Sequence, residues 1–322
     1  MVNKLKLIFT FHRNVFNKQM NDTDACDKYS GDFNCEDTYL LDWIPLEKLK
    51  WEGLTMNPNA IHVFESNVER IKEYTFNLSL NPNAVQFLQR NPQFIEWASI
   101  SANPNGMPIL EANIDKIEWE DLSENPAAKE LLEDNYDKVI PSLICGNPSA
   151  MTLIERYKDD GGEDIDWFYL SCNPNPLAIQ MLDENQDKID WTNLSSNPSA
   201  IQLLEANEDK IVWEELCRNP NAINIIKANR DKIEWDNLCE NPEATELIEL
   251  DKLSNRAWFE LSANPNAIHI LEKNLDKVDW DALSSNPSAM HLLEANQERI
   301  NWFKLSLNPS IFDFNKYEVV LK

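Results

Sequence analysis

Twelve Asn-Pro dipeptides recur along the 322-residue chain at nearly constant intervals. The successive spacings are 24, 22, 22, 22, 26, 24, 22, 22, 23, 22 and 22 residues. A fixed period of this length is typical of a repeat array, in which each unit buries its apolar face against its neighbours. The dipeptides begin at Asn57, Asn81, Asn103, Asn125, Asn147, Asn173, Asn197, Asn219, Asn241, Asn264, Asn286 and Asn308.

One repeat, residues 197–219, predicts a short helix directly after the dipeptide. Asparagine is a favoured N-cap residue, and proline suits the first helical position because the N–H that it lacks would have no partner there. Ala200, Ile201, Leu203 and Leu204 are spaced as on one helix face, not as on a strand. The pattern makes helix caps of nine central asparagines: Asn103, Asn125, Asn147, Asn173, Asn197, Asn219, Asn241, Asn264 and Asn286.

The same repeat predicts a second short helix. Asn207 is expected to end the first helix, because asparagine tolerates the left-handed conformation found at many helix ends. Asp209 is expected to cap the second helix, whose inward residues are Ile211, Trp213 and Leu216. Helices of about eight residues are marginal alone, so they must stack on neighbouring repeats.

Ten of the eleven tryptophans stand six residues before an Asn-Pro, and Thr75 and Pro141 occupy that slot in the other two repeats. This fixed phase with the apolar slots predicts that the indoles form the core, rather than exposed platforms on which bases or glycans stack. The predicted core tryptophans are Trp97, Trp119, Trp167, Trp191, Trp213, Trp235, Trp258, Trp280 and Trp302.

These patterns predict an all-α protein, an α-solenoid of about 12 stacked repeats with two short helices in each ~22 residues. The remote alternative is a leucine-rich-repeat-like horseshoe with a binding role, disfavoured because the repeat lacks the alternation of a strand. We expect a leader and polar linker at 1–38, an N-terminal capping segment at 39–56, the solenoid at 57–308 and a C-terminal cap at 309–322. The curved array would be roughly 100 Å long.

The formal net charge of −26 opposes binding to a phosphate backbone, so no nucleic-acid partner is expected. It suits a soluble monomer and a protein partner with a basic surface. Acidic residues beside the tryptophans form a candidate docking ridge of Glu118, Glu120, Glu214, Glu215, Glu234, Asp236, Asp279 and Asp281. Two further slots form a glutamate ribbon (for example Glu205) and a lysine ribbon (for example Lys210), which are expected to pair with each other.

The chain offers no catalytic Ser-His-Asp set, phosphate-binding glycine loop or metal-ligand spacing, so neither an enzyme nor a cofactor is expected. Cys145, Cys217 and Cys239 occupy a small slot that is serine in most repeats, which suits a reducing compartment. No apolar stretch reaches the length of a membrane span. A four-residue insertion within Arg156–Ile165 is read as either a tolerated bulge or a functional loop.

The unit reads Asn-Pro-x-Ala-Ile-x-Leu-Leu-Glu-x-Asn-x-Asp-Lys-Ile-x-Trp-x-x-Leu-Ser-x-Asn-Pro, and it departs from this pattern at 74–76 and at 140–141. It resembles a repeat family of giant viruses, the mimivirus-like nucleocytoplasmic large DNA viruses. The resemblance implies a viral protein in the host cytoplasm or the virion, from a family that supplies no functional residues. We therefore expect a non-enzymatic scaffold for protein–protein interaction, and the alternative is a structural component of the virion.

Overall fold

The computed structural model describes residues 39–162 and 165–313. The predicted leader and linker, and residues 314–322 of the predicted C-terminal cap, lie outside the described residues. All the described residues belong to one compact unit, Tyr39–Lys322.

The described residues are mostly helical, which confirms the all-α prediction. Within them the strands are Tyr39–Leu40 and Phe312–Asp313, which pair with each other in antiparallel orientation. A leucine-rich horseshoe needs a strand in every repeat. The described repeats lack such strands, so that alternative is wrong.

One α-helix precedes each Asn-Pro dipeptide, and we call these the B helices. Ten have tryptophan in the slot six residues before the asparagine, which is the first helical residue in nine of them. Their bounds are Trp51–Met56, Thr75–Leu80, Trp97–Ala102, Trp119–Glu124, Pro141–Ile144, Trp167–Cys172, Trp191–Ser196, Trp213–Leu216, Trp235–Leu238, Asn255–Ala263, Trp280–Ser284 and Trp302–Leu307.

A second set of helices, the A helices, follows the Asn-Pro dipeptides. The α-helical ones are Ile61–Phe64, Val85–Arg90, Met107–Leu110, Lys129–Asp134, Met151–Asp159, Pro176–Asp183, Ile201–Glu205, Ile223–Ala228, Ile268–Leu271 and Met290–Ala295. In two places the segment after the dipeptide is a 3-10 helix, Pro242–Leu247 and Pro309–Ile311, and Val68–Ile71 is an additional α-helix. Short 3-10 turns such as Glu208–Lys210 connect A helices to B helices.

The first helix of the repeat at residues 197–219 ends near Asn207, as predicted, at Glu205. The predicted left-handed conformation of Asn207 and the predicted capping by Asp209 are wrong. Asn207 has φ −135° and ψ 50°, and no non-glycine residue described has a positive φ. Its side chain ends the A helix instead, because Nδ2 donates to the carbonyl of Leu203 at 3.0 Å. Asp209 lies inside a 3-10 turn, and the following B helix begins after Val212 without a side-chain cap.

A ladder of buried asparagines joins the repeats. In every repeat, Nδ2 of the Asn-Pro asparagine donates to two backbone carbonyls of the preceding repeat at 2.8–3.3 Å. Its Oδ1 accepts a hydrogen bond from the backbone N–H two residues later. The amide is therefore satisfied, and removing one would strand two carbonyls at about 1–3 kcal/mol each.

A second ladder uses the small slot near the end of each B helix. In the Ser101 repeat, the hydroxyl donates to the carbonyl of Trp97 at 2.7 Å and accepts from the N–H of Glu118 at 3.2 Å. The same pair of bonds recurs at Ser195, between Trp191 and Val212. In the repeats with serine at this slot, hydroxyl and asparagine thus tie one B helix to the next.

The array closes on itself. The last B helix, Trp302–Leu307, packs on the first, Trp51–Met56. Asn57 donates to Ser306 and Asn308, and the N–H of Lys50 donates to Oγ of Ser306 at 2.8 Å. Both ladders therefore run through the junction between the last repeat and the first, and the two short strands pair beside it. The expected curved array of roughly 100 Å is instead a closed ring of repeats.

The B helices form the inner layer of this ring. Ten of the twelve pairs of neighbouring B helices pack directly on each other, whereas neighbouring A helices meet mainly through the 3-10 turns at their starts. The two exceptions are Pro141–Ile144 with Trp167–Cys172 and Trp213–Leu216 with Trp235–Leu238. The inner layer of a closed ring has the shorter circumference, so its elements lie closer together. The fully buried leucines and isoleucines, such as Leu122 and Leu204, lie between the two layers.

Candidate functional site

The tryptophans lie at the edge of the core, and most are not enclosed by it. Trp258 is buried, at 8% exposure, whereas the other eight predicted core tryptophans are partly buried and pack one side against the core. A cation from the next repeat lies over the ring of several of them. Lys116 Nζ is 4.8 Å from the Trp97 ring centroid, and Lys138 Nζ is 4.7 Å from that of Trp119.

This cation–indole contact follows one rule in six of seven cases: the cation stands three residues before the next Trp slot. The exception is Arg70, which lies over Trp51 and stands five residues before the next slot. Lys188 covers Trp167, Lys232 covers Trp213 and Arg299 covers Trp280 at 4.7–5.0 Å. Lys48 covers Trp302, so this contact also runs through the ring junction. Each such contact contributes roughly 0.5–1 kcal/mol at a partly exposed site.

The expected pairing of the glutamate and lysine ribbons is wrong for the lysines. Four of the six ribbon lysines cover indoles instead, because the next repeat brings the indole face within their reach: Lys116, Lys138, Lys188 and Lys232. Ribbon glutamates pair elsewhere; Glu249 lies 3.6 Å from Arg230, and Glu272 Oε1 lies 2.9 Å from His291 Nε2. Such exposed pairs contribute little to stability.

The nine predicted capping asparagines all occupy the buried ladder and accept the hydrogen bond expected of a cap. A second capping position was missed. The residue before the Trp slot accepts hydrogen bonds from the first turn of the B helix in five repeats: Glu96, Asp166, Asp190, Asp279 and Asn301. The recurrence of acidic residues and asparagine at that position was the available signal.

The predicted docking ridge divides into two kinds of residue. Exposed carboxylates are Glu118, Glu120, Glu214, Glu234 and Asp281. The other three are half-buried and have structural partners. Asp279 caps its helix, Glu215 pairs with Arg218 at 2.7 Å, and Asp236 accepts from Ser254 Oγ at 2.7 Å. The ridge is therefore discontinuous, and its B-helix members lie on the inner layer.

The inner face is acidic as a whole. The B helices contain nine carboxylates, none of them buried, against the two cations Arg256 and Lys304. The carboxylates are Glu52, Glu120, Asp121, Glu124, Glu214, Glu215, Asp236, Glu260 and Asp281. Since like charges are held close together on neighbouring helices, this face attracts cations.

Two of these carboxyl groups show the strength of that crowding. Partial burial, followed by the charges of Glu124, Glu96, Glu118 and Glu120, raises the pKa of Asp121 to about 6. Burial and the nearby Glu240 raise the pKa of Glu260 to about 7, although Arg256 and Arg218 oppose the shift. Their charged forms are disfavoured in the protein alone and would be favoured by a bound cation.

Exposed aromatic rings share this face with the carboxylates. The residue directly after the Trp slot is acidic in five repeats and phenylalanine in four. Phe76, Phe168 and Phe259 are 43%, 55% and 40% exposed, which makes them among the most exposed large apolar side chains described. The Phe168 ring also contacts Tyr169 edge to face, with centroids 5.6 Å apart. Exposed rings between carboxylates are typical of a surface that contacts a partner.

The described residues offer no group of three or more His, Cys, Asp or Glu side chains that could hold a metal ion. The thiols of Cys145, Cys217 and Cys239 are buried, and burial raises the pKa of each, to about 11 for Cys145 and about 12 for Cys239. Within the described part of the chain, no helix combines the length and apolar character needed to span a bilayer.

Comparisons with protein-family models, with curated proteins and with solved structures find no match to this chain.

Proposed function

We propose that the chain is a closed α-solenoid of twelve repeats whose inner face binds a basic polypeptide. The observation that carries the proposal is that one slot of the B helices holds exposed phenyl rings in three repeats and carboxylates in five. A polypeptide that alternates cationic and apolar side chains would satisfy both kinds of group, since long-range attraction steers cations to the face and the rings bury apolar surface.

The size of the ring supports this partner class. At about 8–10 Å between neighbouring helices, twelve B helices give a ring roughly 30–40 Å across between helix axes. Subtracting one helix diameter leaves a central space of about 20–25 Å. That space admits an extended chain or an α-helix of about 10–12 Å. A nucleic-acid duplex is opposed by the carboxylates that line it.

The test is a titration of the full chain with a synthetic peptide in which arginine and phenylalanine alternate. Isothermal titration calorimetry at several salt concentrations is the measurement. We expect affinity to fall steeply with salt, and binding to be lost when glutamate replaces arginine in the peptide. Replacing the phenylalanines of the peptide by alanine should weaken binding and reduce the negative heat-capacity change.

A matched pair of protein variants locates the binding face. The triple variant Phe76→Ala, Phe168→Ala, Phe259→Ala removes exposed rings from the B helices and is expected to weaken binding about tenfold or more. The control triple is Ile114→Ala, Leu250→Ala, Leu275→Ala, which removes apolar side chains of similar exposure from the turns between A and B helices. Equal affinity of both triples would sink the proposal.

We further propose, from the resemblance to giant-virus repeats, that the partner is met in an infected cell. Affinity purification with the wild-type ring and the phenylalanine triple in parallel would identify proteins that depend on the inner face. A scaffold predicts basic proteins that are lost with the triple. High abundance in purified virus particles, with no such dependence, would favour the structural role.

A further inference from the structure

The repeat that ends in Pro141–Ile144 contains a cavity where other repeats hold an indole. The cavity has a volume of about 440 Å³. Its floor is apolar and formed by Val139, Pro141 and Ile144, and Val139 and Ile144 are buried. Tyr136 and Tyr157 form its walls. Asp137, Asp160 and the pair Gly161–Gly162 line the rest.

Both members of the cation–indole contact are missing at this interface. Proline replaces the indole at position 141. The position three residues before the next tryptophan, Trp167, is Asp164, where most repeats have lysine. Asp164 itself lies outside the described residues. The regular contact fills this space in a neighbouring repeat, where Lys138 lies over the Trp119 ring.

The inserted segment forms part of the wall of the cavity, and the cavity itself remains unfilled. The A helix of the next repeat, Met151–Asp159, is lengthened and carries Tyr157. Gly161 has φ 85°, and a Cβ on Gly162 would collide with the Tyr157 ring, so this turn packs closely on the tyrosine. Arg156 lies over the Tyr136 ring at 3.8 Å and pairs with Asp160 at 3.8 Å. The walls are thereby held in place.

We propose that this cavity binds an aromatic side chain of a partner polypeptide, with the indole of tryptophan as the best fit. The position is that of an indole in ten other repeats, and the partly buried indoles pack against the same hydrophobic core to which Val139 and Ile144 of the floor belong. Tyr136 and Tyr157 present further ring surface for stacking. The carboxylates Asp137 and Asp160 lie at the cavity and can accept the indole N–H. The inference does not depend on binding of basic peptides at the inner face.

The test uses N-acetyl-tryptophanamide as the probe and the full chain as the receptor. Saturation-transfer difference NMR follows the probe, and a titration gives its affinity. The wild-type chain is expected to bind it. Pro141→Trp supplies the missing indole and is expected to lower affinity at least about tenfold. Tyr157→Ala removes one wall without filling the cavity and is expected to weaken binding too.

The control is Thr192→Trp, which adds an exposed indole directly after Trp191 and leaves the cavity unchanged. This variant should bind the probe as the wild type does. A second cavity of about 580 Å³ lies beside Trp51, Tyr74 and Phe303. If Pro141→Trp binds the probe as tightly as the wild type, binding occurs elsewhere and the proposal is overturned. Absence of any probe signal with the wild-type chain overturns the proposal as well. The titration with the arginine–phenylalanine peptide tests the inner face, and its outcome is independent of this one.

Discussion

Two repeats lack tryptophan in the slot six residues before the asparagine, and the space left by the missing indole is packed differently in the two. Beside Thr75, the next repeat has Phe94 in the slot that usually holds the cation. Phe94 is buried, its ring stacks on Phe87 with centroids 6.1 Å apart, and the turn that carries it packs on Thr75–Leu80. Beside Pro141, no large side chain of the described residues fills the corresponding space. One interface was repacked with an apolar ring, and the other keeps a cavity.

This comparison indicates that the volume occupied at the indole position matters more for packing than the chemical type of the side chain that occupies it. A closed ring cannot splay open at a weak interface without straining the others, so an unfilled slot is retained at a cost in stability. An interface that stays underpacked is therefore the first place to seek a ligand.

The largest expected effect comes from removing the substitute core at Thr75. Phe94→Ala should lower the free energy of unfolding by about 3–4 kcal/mol, because it leaves a cavity beside Phe87 that cannot collapse. Chemical denaturation followed by circular dichroism measures it. Tyr157→Ala at the other interface removes a partly exposed ring and should cost clearly less. Equal losses would contradict the distinction between a filled and an unfilled slot.

Restoring tryptophan at position 75 should destabilise the ring. Phe94 already fills the space beside position 75, so an added indole would overpack this interface. Thr75→Trp is therefore expected to lower the free energy of unfolding by about 1–3 kcal/mol. The double variant Thr75→Trp, Phe94→Lys recreates the regular pair and should recover part of that loss. A single variant as stable as the wild type would show that space remains there.

Restoring tryptophan at position 141 should have the opposite sign. Pro141→Trp fills the cavity and is expected to raise the free energy of unfolding by about 0.5–2 kcal/mol, as cavity-filling substitutions commonly do. The gain should disappear for Pro141→Ala, which loses the proline without supplying volume. A loss of stability for Pro141→Trp would mean that the tyrosine walls cannot accept an indole.

The sequence predicted the parts of this fold that are local. Asparagine before proline, the Leu203–Leu204 face and the phase of Trp213 are properties of one repeat, so the helices and the capping asparagines followed from the pattern. Ring closure could not be predicted from the pattern, because it depends on a small rotation between neighbouring repeats that is summed over twelve repeats. The cation over each indole was missed for the same reason: Lys116 reaches Trp97 only when two repeats are placed side by side.

The smallest expected effect comes from a carboxyl group at an interface with the regular cation–indole contact. There the effect of charge on stability can be separated from the effect of packing. Trp119 is covered by Lys138, but Asp121 on the same B helix is surrounded by carboxylates, and its pKa is raised from 3.8 to about 6. The native state therefore binds more protons than the unfolded state between about pH 4 and 6, so stability falls as pH rises through that window. The loss is fully present above about pH 7.

Asp121→Asn should consequently be more stable than the wild type at pH 8, by about 1 kcal/mol once solvent screening of this half-exposed group is allowed for. The difference should vanish below about pH 3, where the wild-type carboxyl group is protonated in both states. Thermal melts across the pH range measure it, with Asp115→Asn, an exposed aspartate in the turn before Trp119, as the control. A gain independent of pH would assign the effect to packing and would contradict the raised pKa of Asp121.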